Sequence, residues 1–109
     1  MIYSGKVNRM SHKLLISYDL NKPGQHYSNV IGAIKSLGPT IKMQRSVWLT
    51  ASEYSINKSR GIVRKQMDDN DLLLVIELTD ANYNVSAPAP EDPKSVRALK
   101  NYITTHMKH

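Results

Sequence analysis

The clearest candidate for chemistry in this sequence is Asp19, within the stretch LLISYDLNKPGQ that runs from Leu14 to Gln25. Asp19 is the only acid among the first fifty residues, and it stands where an apolar segment gives way to Asn-Lys-Pro-Gly. Two interpretations are open at this point. The carboxylate could accept hydrogen bonds from the backbone amides of Asn21 and Lys22 and so form the turn, or it could belong to a functional site.

Positive side chains are the second group of candidates. The net charge is +6, but residues 1–65 hold eleven lysines and arginines against two acids, whereas residues 66–83 hold five acids and no basic residue. This distribution favours a polyanionic partner, and we expect nucleic acid, either DNA or RNA. Contacts to phosphate that read no base sequence are expected from Lys22, Lys42, Arg45, Lys58, Arg60, Arg64 and Lys65. A solvated basic surface without such a partner is the alternative.

Other reactive groups are weaker candidates. The absence of cysteine excludes disulfides, thiolate metal sites and cysteine nucleophiles. His26 follows the candidate aspartate closely enough to move a proton, although an exposed position in the first helical turn is the simpler interpretation. Asp68, Asp69 and Asp71 lie at a helix-to-strand turn, where aspartate commonly serves turn geometry, so we do not expect a metal there. Trp48 is expected in the core or at a dimer interface rather than stacked on a base.

The spacing of apolar residues predicts the elements that would position these groups. In chain order they are a strand ending at Asp19, a helix over 26–37 ended by Gly38-Pro39, two strands within 40–50, a helix from a Ser52 cap to about Met67, a strand from Leu72 to Ile76 and a helix from Pro93. This order predicts an α+β fold. It is the ferredoxin-like β-α-β-β-α-β arrangement with an antiparallel sheet, plus a C-terminal helix.

The predicted elements divide the chain into a flexible N-terminal extension at 1–11, a ferredoxin-like domain at 12–83, a linker or short edge strand at 84–92 and a C-terminal helix at 93–109. Both central helices should cover one face of the sheet, so the opposite face requires the terminal helix or a second subunit. The strand from Leu72 is apolar on both faces, which predicts that both are covered, and it should lie at an edge of the sheet. We therefore expect a homodimer.

Nothing in the sequence predicts a membrane protein or a secreted one. No apolar run is long enough to span a bilayer, and the N-terminus lacks the apolar core of a signal peptide. The expected location is therefore cytoplasmic, without a membrane partner.

Three segments carry a resemblance to a known family: LLISYDL as the first strand, QRSVWLT as the third and DDNDLLLVIEL as the last. Together they resemble the small CRISPR-associated proteins of the adaptation complex, which are dimeric ferredoxin-like nucleases or scaffolds. The segment SYDLNKPGQHYSNVIGAIKSLG is similar to uncharacterised bacterial and phage proteins labelled SinR-like, which share that fold. The resemblance covers residues 12–83.

The resemblance implies a role for Asp19. In the nuclease family the aspartate that ends the first strand is the proposed metal ligand, and its two copies meet near the two-fold axis of the dimer. A single carboxylate binds Mg²⁺ weakly, whereas a pair supplies hard oxygen ligands that the ion shares with water and phosphate. The predicted function is therefore nucleic-acid binding by a homodimer, with Mg²⁺-dependent phosphodiester hydrolysis at paired Asp19.

Two other functions are open. The protein could be a non-catalytic dimeric interaction or scaffold module that binds a protein partner. It could also be a toxin ribonuclease resembling the VapD branch of this fold. The fold by itself does not decide among these functions, because one fold hosts many activities.

Overall fold

A computed structural model of the protein describes residues 11–21, 27–83 and 93–107, and the side chains of 93–96 are not described. The elements are β1 (His12–Asp19), α1 (Tyr27–Lys35), β2 (Thr40–Gln44), β3 (Val47–Ser52), α2 (Ile56–Arg64), β4 (Leu72–Glu77) and α3 (Pro93–Tyr102), which continues as a π-helical turn over Ile103–Met107. The four strands form one antiparallel sheet in the order β2-β3-β1-β4. This confirms the α+β prediction with its C-terminal helix, and the strand order is that of a ferredoxin-like fold.

Two parts of the predicted domain organisation fall outside the described residues. They are the extension at 1–11, apart from Ser11, and the linker or edge strand at 84–92. Where the structure describes helices, none is both long and apolar enough to cross a membrane.

Alternation along β1 divides the sheet into two faces. Its even-numbered residues Leu14, Ile16 and Tyr18 are buried on the face that α1 and α2 cover. The main core on this face contains Leu14, Ile16, Tyr18, Leu20, Val30, Ile34, Leu37, Trp48 and Val63. The indole nitrogen of Trp48 donates to the Tyr18 hydroxyl at 3.4 Å. Trp48 is therefore a core residue, one of its two predicted places.

The outer face of the sheet, which carries the odd-numbered residues of β1, is partly covered by α3. The Tyr102 hydroxyl donates to the carbonyl of Pro39, the residue before β2, at 2.5 Å. This hydrogen bond positions α3 beside β2. A second core forms under the helix from Leu49, Tyr102, Ile103 and Met107, with Leu15, Ile41, Leu78, Tyr83 and Leu99 packed against it. The terminal helix is thus one cover of the second face.

Strand β4 lies at an edge of the sheet, as predicted, but the described residues of the protomer cover only one of its faces. Leu73 and Val75 pack against the main core. Leu72, Leu74 and Ile76 point to the outer face and are 66%, 49% and 43% exposed. The prediction that both faces are covered is therefore not met by the described part of one chain, because α3 packs on the outer face over β2 and β3 and not over β4.

Helix α2 begins later than predicted and ends earlier. Ser52 is not its cap but a buried residue of β3, and its hydroxyl oxygen lies 2.7 Å from the Ser59 hydroxyl oxygen. The N-cap is Ser55, whose side chain accepts from the backbone N–H of Lys58 at 3.2 Å. Serine at either position satisfies the sequence pattern, and the extent of β3 decides between them.

Candidate functional site

Asp19 occupies the last position of β1 and lies on the outer face of the sheet. Its direct partner on β4 is Leu72, and the next pairs on the same face are Ser17 with Leu74 and Leu15 with Ile76. Residues that pair directly across an antiparallel ladder project from the same face. The carboxylate therefore belongs to the face that carries Leu72, Leu74 and Ile76, a row of exposed side chains that we call the apolar strip.

The Asp19 side chain is exposed and makes no hydrogen bond or ion pair with the residues that the structure describes. As a turn former, Asp19 was expected to accept from the backbone amides of Asn21 and Lys22. The Asn21 amide donates to Asp71 instead. The other partner, Lys22, lies outside the described residues, as does His26. Among the described residues, then, none occupies the Asp19 oxygens in a way that would exclude a ligand.

The part of one protomer that the structure describes gathers no cluster of metal ligands around Asp19. Within the described ranges, no group of three or more histidine, aspartate or glutamate side chains is arranged to hold a metal ion. Mg²⁺ in proteins is commonly held by one or two carboxylates together with waters and substrate phosphate. One carboxylate alone binds Mg²⁺ weakly, and a second copy of the chain is one source of another carboxylate.

The turn between α2 and β4 is organised by Asp71 and Arg64. The Asp71 carboxylate is 6% exposed and accepts from the backbone N–H of Asn21 at 2.7 Å and of Asp68 at 2.8 Å. The Arg64 guanidinium donates to three backbone carbonyls at 2.7–2.9 Å, those of Asp68, Asp69 and Asp71. Arg64 therefore holds together the turn that follows its helix, a structural role, and its contact with phosphate stays a prediction.

Replacing Asp71 with alanine is expected to lower the free energy of unfolding by about 3 kcal/mol, because two amides would lose a charged, buried acceptor. The measurement is urea denaturation followed by circular dichroism. Asp69→Ala is the matched control, since Asp69 is exposed and Arg64 uses only its backbone carbonyl. That control is expected to change stability by less than about 0.5 kcal/mol. Equal losses in the two variants would contradict the role assigned to Asp71.

Apart from Lys22, which lies outside the described residues, the remaining predicted phosphate contacts lie either on β2 and its turn or on α2. Lys42 and Arg45 are exposed on β2 and on the turn after it. The backbone N–H of Tyr18 donates to the Ser46 carbonyl at 3.1 Å, which places that turn at the same end of the sheet as Asp19. Arg45 therefore lies towards the same end of the sheet as Asp19.

The cations of α2 lie on the helix-covered side of the sheet. Lys58, Arg60 and Lys65 are exposed there, and the Lys58 ammonium lies 4.8 Å from the centroid of the Tyr54 ring. The Asp19 side chain projects from the opposite face. The structure thus does not combine the α2 cations and Asp19 into one site.

Sequence reasoning missed two exposed cations, Arg97 and Lys100 of α3. The helix packs beside β2 through Tyr102, so these charges belong to the β2 side of the molecule. The available signal was composition: residues 93–107 contain Lys94, Arg97 and Lys100 but no acid. Composition alone does not show where α3 packs, so it could not indicate which surface these cations occupy.

Comparison with known proteins supports the fold. No family model matches the chain, and no curated protein matches it significantly. Among solved structures, a crystal structure of a hypothetical protein, TT1823, from Thermus thermophilus is similar, with a TM-score of 0.55 and 20% sequence identity. The match covers 74% of this chain and 99% of that chain. The likeness is one of fold alone.

Proposed function

We propose that the protein binds nucleic acid as a homodimer and hydrolyses phosphodiester bonds with Mg²⁺ held between two Asp19 carboxylates. The observation that carries the proposal is the placement of Asp19 on the outer face, in register with the apolar strip. A contact between two copies through that strip would bring both carboxylates to one interface. The catalytic site would then exist only in the dimer.

The apolar strip favours self-association. Leu72, Leu74 and Ile76 are large side chains that are 43–66% exposed, and they lie side by side on one edge strand. Among the described strands, β4 pairs only with β1, so no described strand occupies its other edge. Burying apolar area is worth about 25 cal/mol per Å², and an exposed apolar edge strand otherwise promotes aggregation.

The residues present suit Mg²⁺. A carboxylate provides the hard oxygen ligands that this ion prefers, and Asp19 is exposed on a face that is only partly covered. Two Asp19 side chains would hold the ion and leave coordination positions for water and a substrate phosphate. When bound, the ion would lower the pKa of a coordinated water and stabilise negative charge on the phosphate.

Nucleic acid is the substrate class that the charge favours. The net charge is +6, and lysine and arginine side chains are exposed on β2, α2 and α3. Such side chains bind phosphates independently of base sequence, which would hold a polynucleotide near the dimer while the metal acts on one linkage.

The test of this proposal is Leu74→Lys, which places a charge in the middle of the apolar strip. We expect the dimer dissociation constant to rise by about thirtyfold or more, since each copy loses apolar burial and buries an ammonium. Sedimentation velocity measures the dimer, and Mg²⁺-dependent cleavage of labelled DNA and RNA is measured at the same protein concentrations. Cleavage should fall with the dimer fraction.

Met43→Lys is the matched control for Leu74→Lys. Met43 is 36% exposed on the opposite edge strand, so the same type of substitution should leave the dimer unchanged. A monomeric wild-type protein that cleaves at full rate would contradict the proposal. So would a Leu74→Lys variant that stays monomeric and fully active.

A non-catalytic interaction module is the second candidate function. The specific observation in its favour is the outer edge of β4, which no described strand pairs with and which lies beside the apolar strip. It could receive a strand from a protein partner without any role for Asp19. A wild-type dimer that neither binds nor cleaves nucleic acid at low salt would favour this candidate.

A further inference from the structure

We infer that nucleic acid binds along a basic edge of the molecule formed by β2 and α3, and not on the equally cationic surface of α2. The basic edge comprises Lys42, Arg45, Arg97 and Lys100, all of them exposed. This inference rests on the proposed nucleic-acid binding and specifies which surface performs it.

The basic edge contains no opposing charge. Residues 35–52 and 93–107, which include β2, β3 and α3, hold no aspartate or glutamate. The two parts are joined by packing, because Leu99 of α3 and Ile41 of β2 contact the same core and Tyr102 bonds to Pro39. Four cations from two distant segments therefore lie near the same edge of the sheet, the edge formed by β2.

The arrangement of these cations allows one nucleic-acid backbone to contact both the β2 set, Lys42 and Arg45, and the α3 set, Arg97 and Lys100. Lys42 pairs directly with Trp48, a residue of the helix-covered face, whereas α3 lies over the outer face. The two sets thus flank the edge strand on opposite faces of the sheet. A polyanion that follows this edge can place phosphates near both.

Most of the acids that the structure describes lie towards the opposite edge. Asp68, Asp69 and Asp71 precede β4, and Glu77 ends it. Two strands separate β2 from β4, so the edges are about 14 Å apart at roughly 4.8 Å per strand spacing. That distance exceeds the Debye length of about 8 Å at physiological salt, so the acids hardly weaken the field at the basic edge.

One acid needs separate consideration because it follows β3 directly. Glu53 donates its backbone N–H to the Leu37 carbonyl at 2.9 Å, which places Glu53 near the start of β2. Arg45 follows the other end of that strand. Glu53 therefore lies near the start of β2, whereas Arg45 lies beyond its other end.

The α2 surface is a poorer site for a polyanion. Its cations are preceded by Glu53 and followed by Asp68 and Asp69. Lys58 lies over the Tyr54 ring, and Arg64 is bonded to backbone carbonyls. The helix also packs against β4, on the acidic side of the sheet.

Three charge-reversal variants test the inference, and each changes the net charge by the same amount. They are Lys42→Glu with Arg45→Glu, Arg97→Glu with Lys100→Glu, and Lys58→Glu with Arg60→Glu as the matched control. The probes are a short fluorescently labelled DNA duplex and an RNA single strand of the same sequence, and binding is followed by fluorescence anisotropy. Circular dichroism verifies that each variant folds.

We expect both basic-edge variants to weaken binding by at least about tenfold. The slope of log affinity against log salt should also become shallower, by about one for each phosphate that the variant no longer binds. The α2 variant should bind within about threefold of wild type, because distant exposed charges are screened. Equal weakening in all three variants would overturn the inference, as would weakening confined to the α2 variant. An absence of salt-dependent binding by the wild type would instead refute the proposed function itself.

Discussion

Asp19→Asn is expected to reduce Mg²⁺-dependent cleavage by about a hundredfold or more, because the amide cannot supply the anionic oxygens that hold the ion. Nucleic-acid binding should be unchanged, since the basic edge lies outside the substituted position. The substitution is nearly isosteric, and Asp19 is exposed, so folding should be unaffected. Cleavage by wild type and variant is compared after identical purification, because contaminating nucleases are the main source of false activity.

The same variant has a second readout that does not depend on activity. Two carboxylates brought to one interface repel each other when no metal is bound, so Mg²⁺ should strengthen the wild-type dimer. In Asp19→Asn that repulsion is absent, and the dimer should be at least as strong without Mg²⁺ and insensitive to its addition. Sedimentation velocity with and without Mg²⁺ measures the difference. Unchanged cleavage, or the same Mg²⁺ response in both proteins, would exclude a paired carboxylate site.

Gly38→Ala is expected to lower the free energy of unfolding by about 4 kcal/mol, from backbone strain and a steric collision together. Gly38 has a φ of +153°, a conformation that residues with a Cβ rarely adopt. A Cβ at this position would collide with the backbone carbonyl oxygen of Ala51.

The surroundings of Gly38 leave the collision no easy relief. The carbonyls of Leu37 and Pro39 on either side accept backbone bonds from Glu53 and Ala51, each at 2.9 Å. Moving the α1–β2 connection away from β3 would break both bonds. Because the same connection carries the acceptor for Tyr102, the docking of α3 should weaken as well.

Gly32→Ala is the matched control for Gly38→Ala. Gly32 lies within α1, and a Cβ there would meet nothing within 4 Å. Alanine should stabilise the helix by up to about 1 kcal/mol, so the two substitutions are expected to have opposite signs. Urea denaturation of the three proteins measures both effects. A Gly38→Ala variant as stable as wild type would contradict the close approach to Ala51.

The sequence by itself determined the elements and their order. Alternation in β1, three- and four-residue apolar spacing in α1 and the Gly38-Pro39 break are local signals, and each predicted its element correctly. Local signals did not fix the start of a helix where two residues could each serve as its cap. Ser52 and Ser55 are both competent helix caps, and only the length of β3 excluded the first.

Only the tertiary structure decided what the charges and the last strand do. Asp71 and Arg64 are ordinary surface residue types in the sequence, but folding brings Asn21 to Asp71 across 50 positions and gives Arg64 three carbonyl partners. Likewise, the apolar pattern of β4 predicted cover on both faces without indicating that α3 would lie elsewhere. These outcomes depend on contacts between distant segments, and residue spacing along the chain carries no information about which distant surfaces meet.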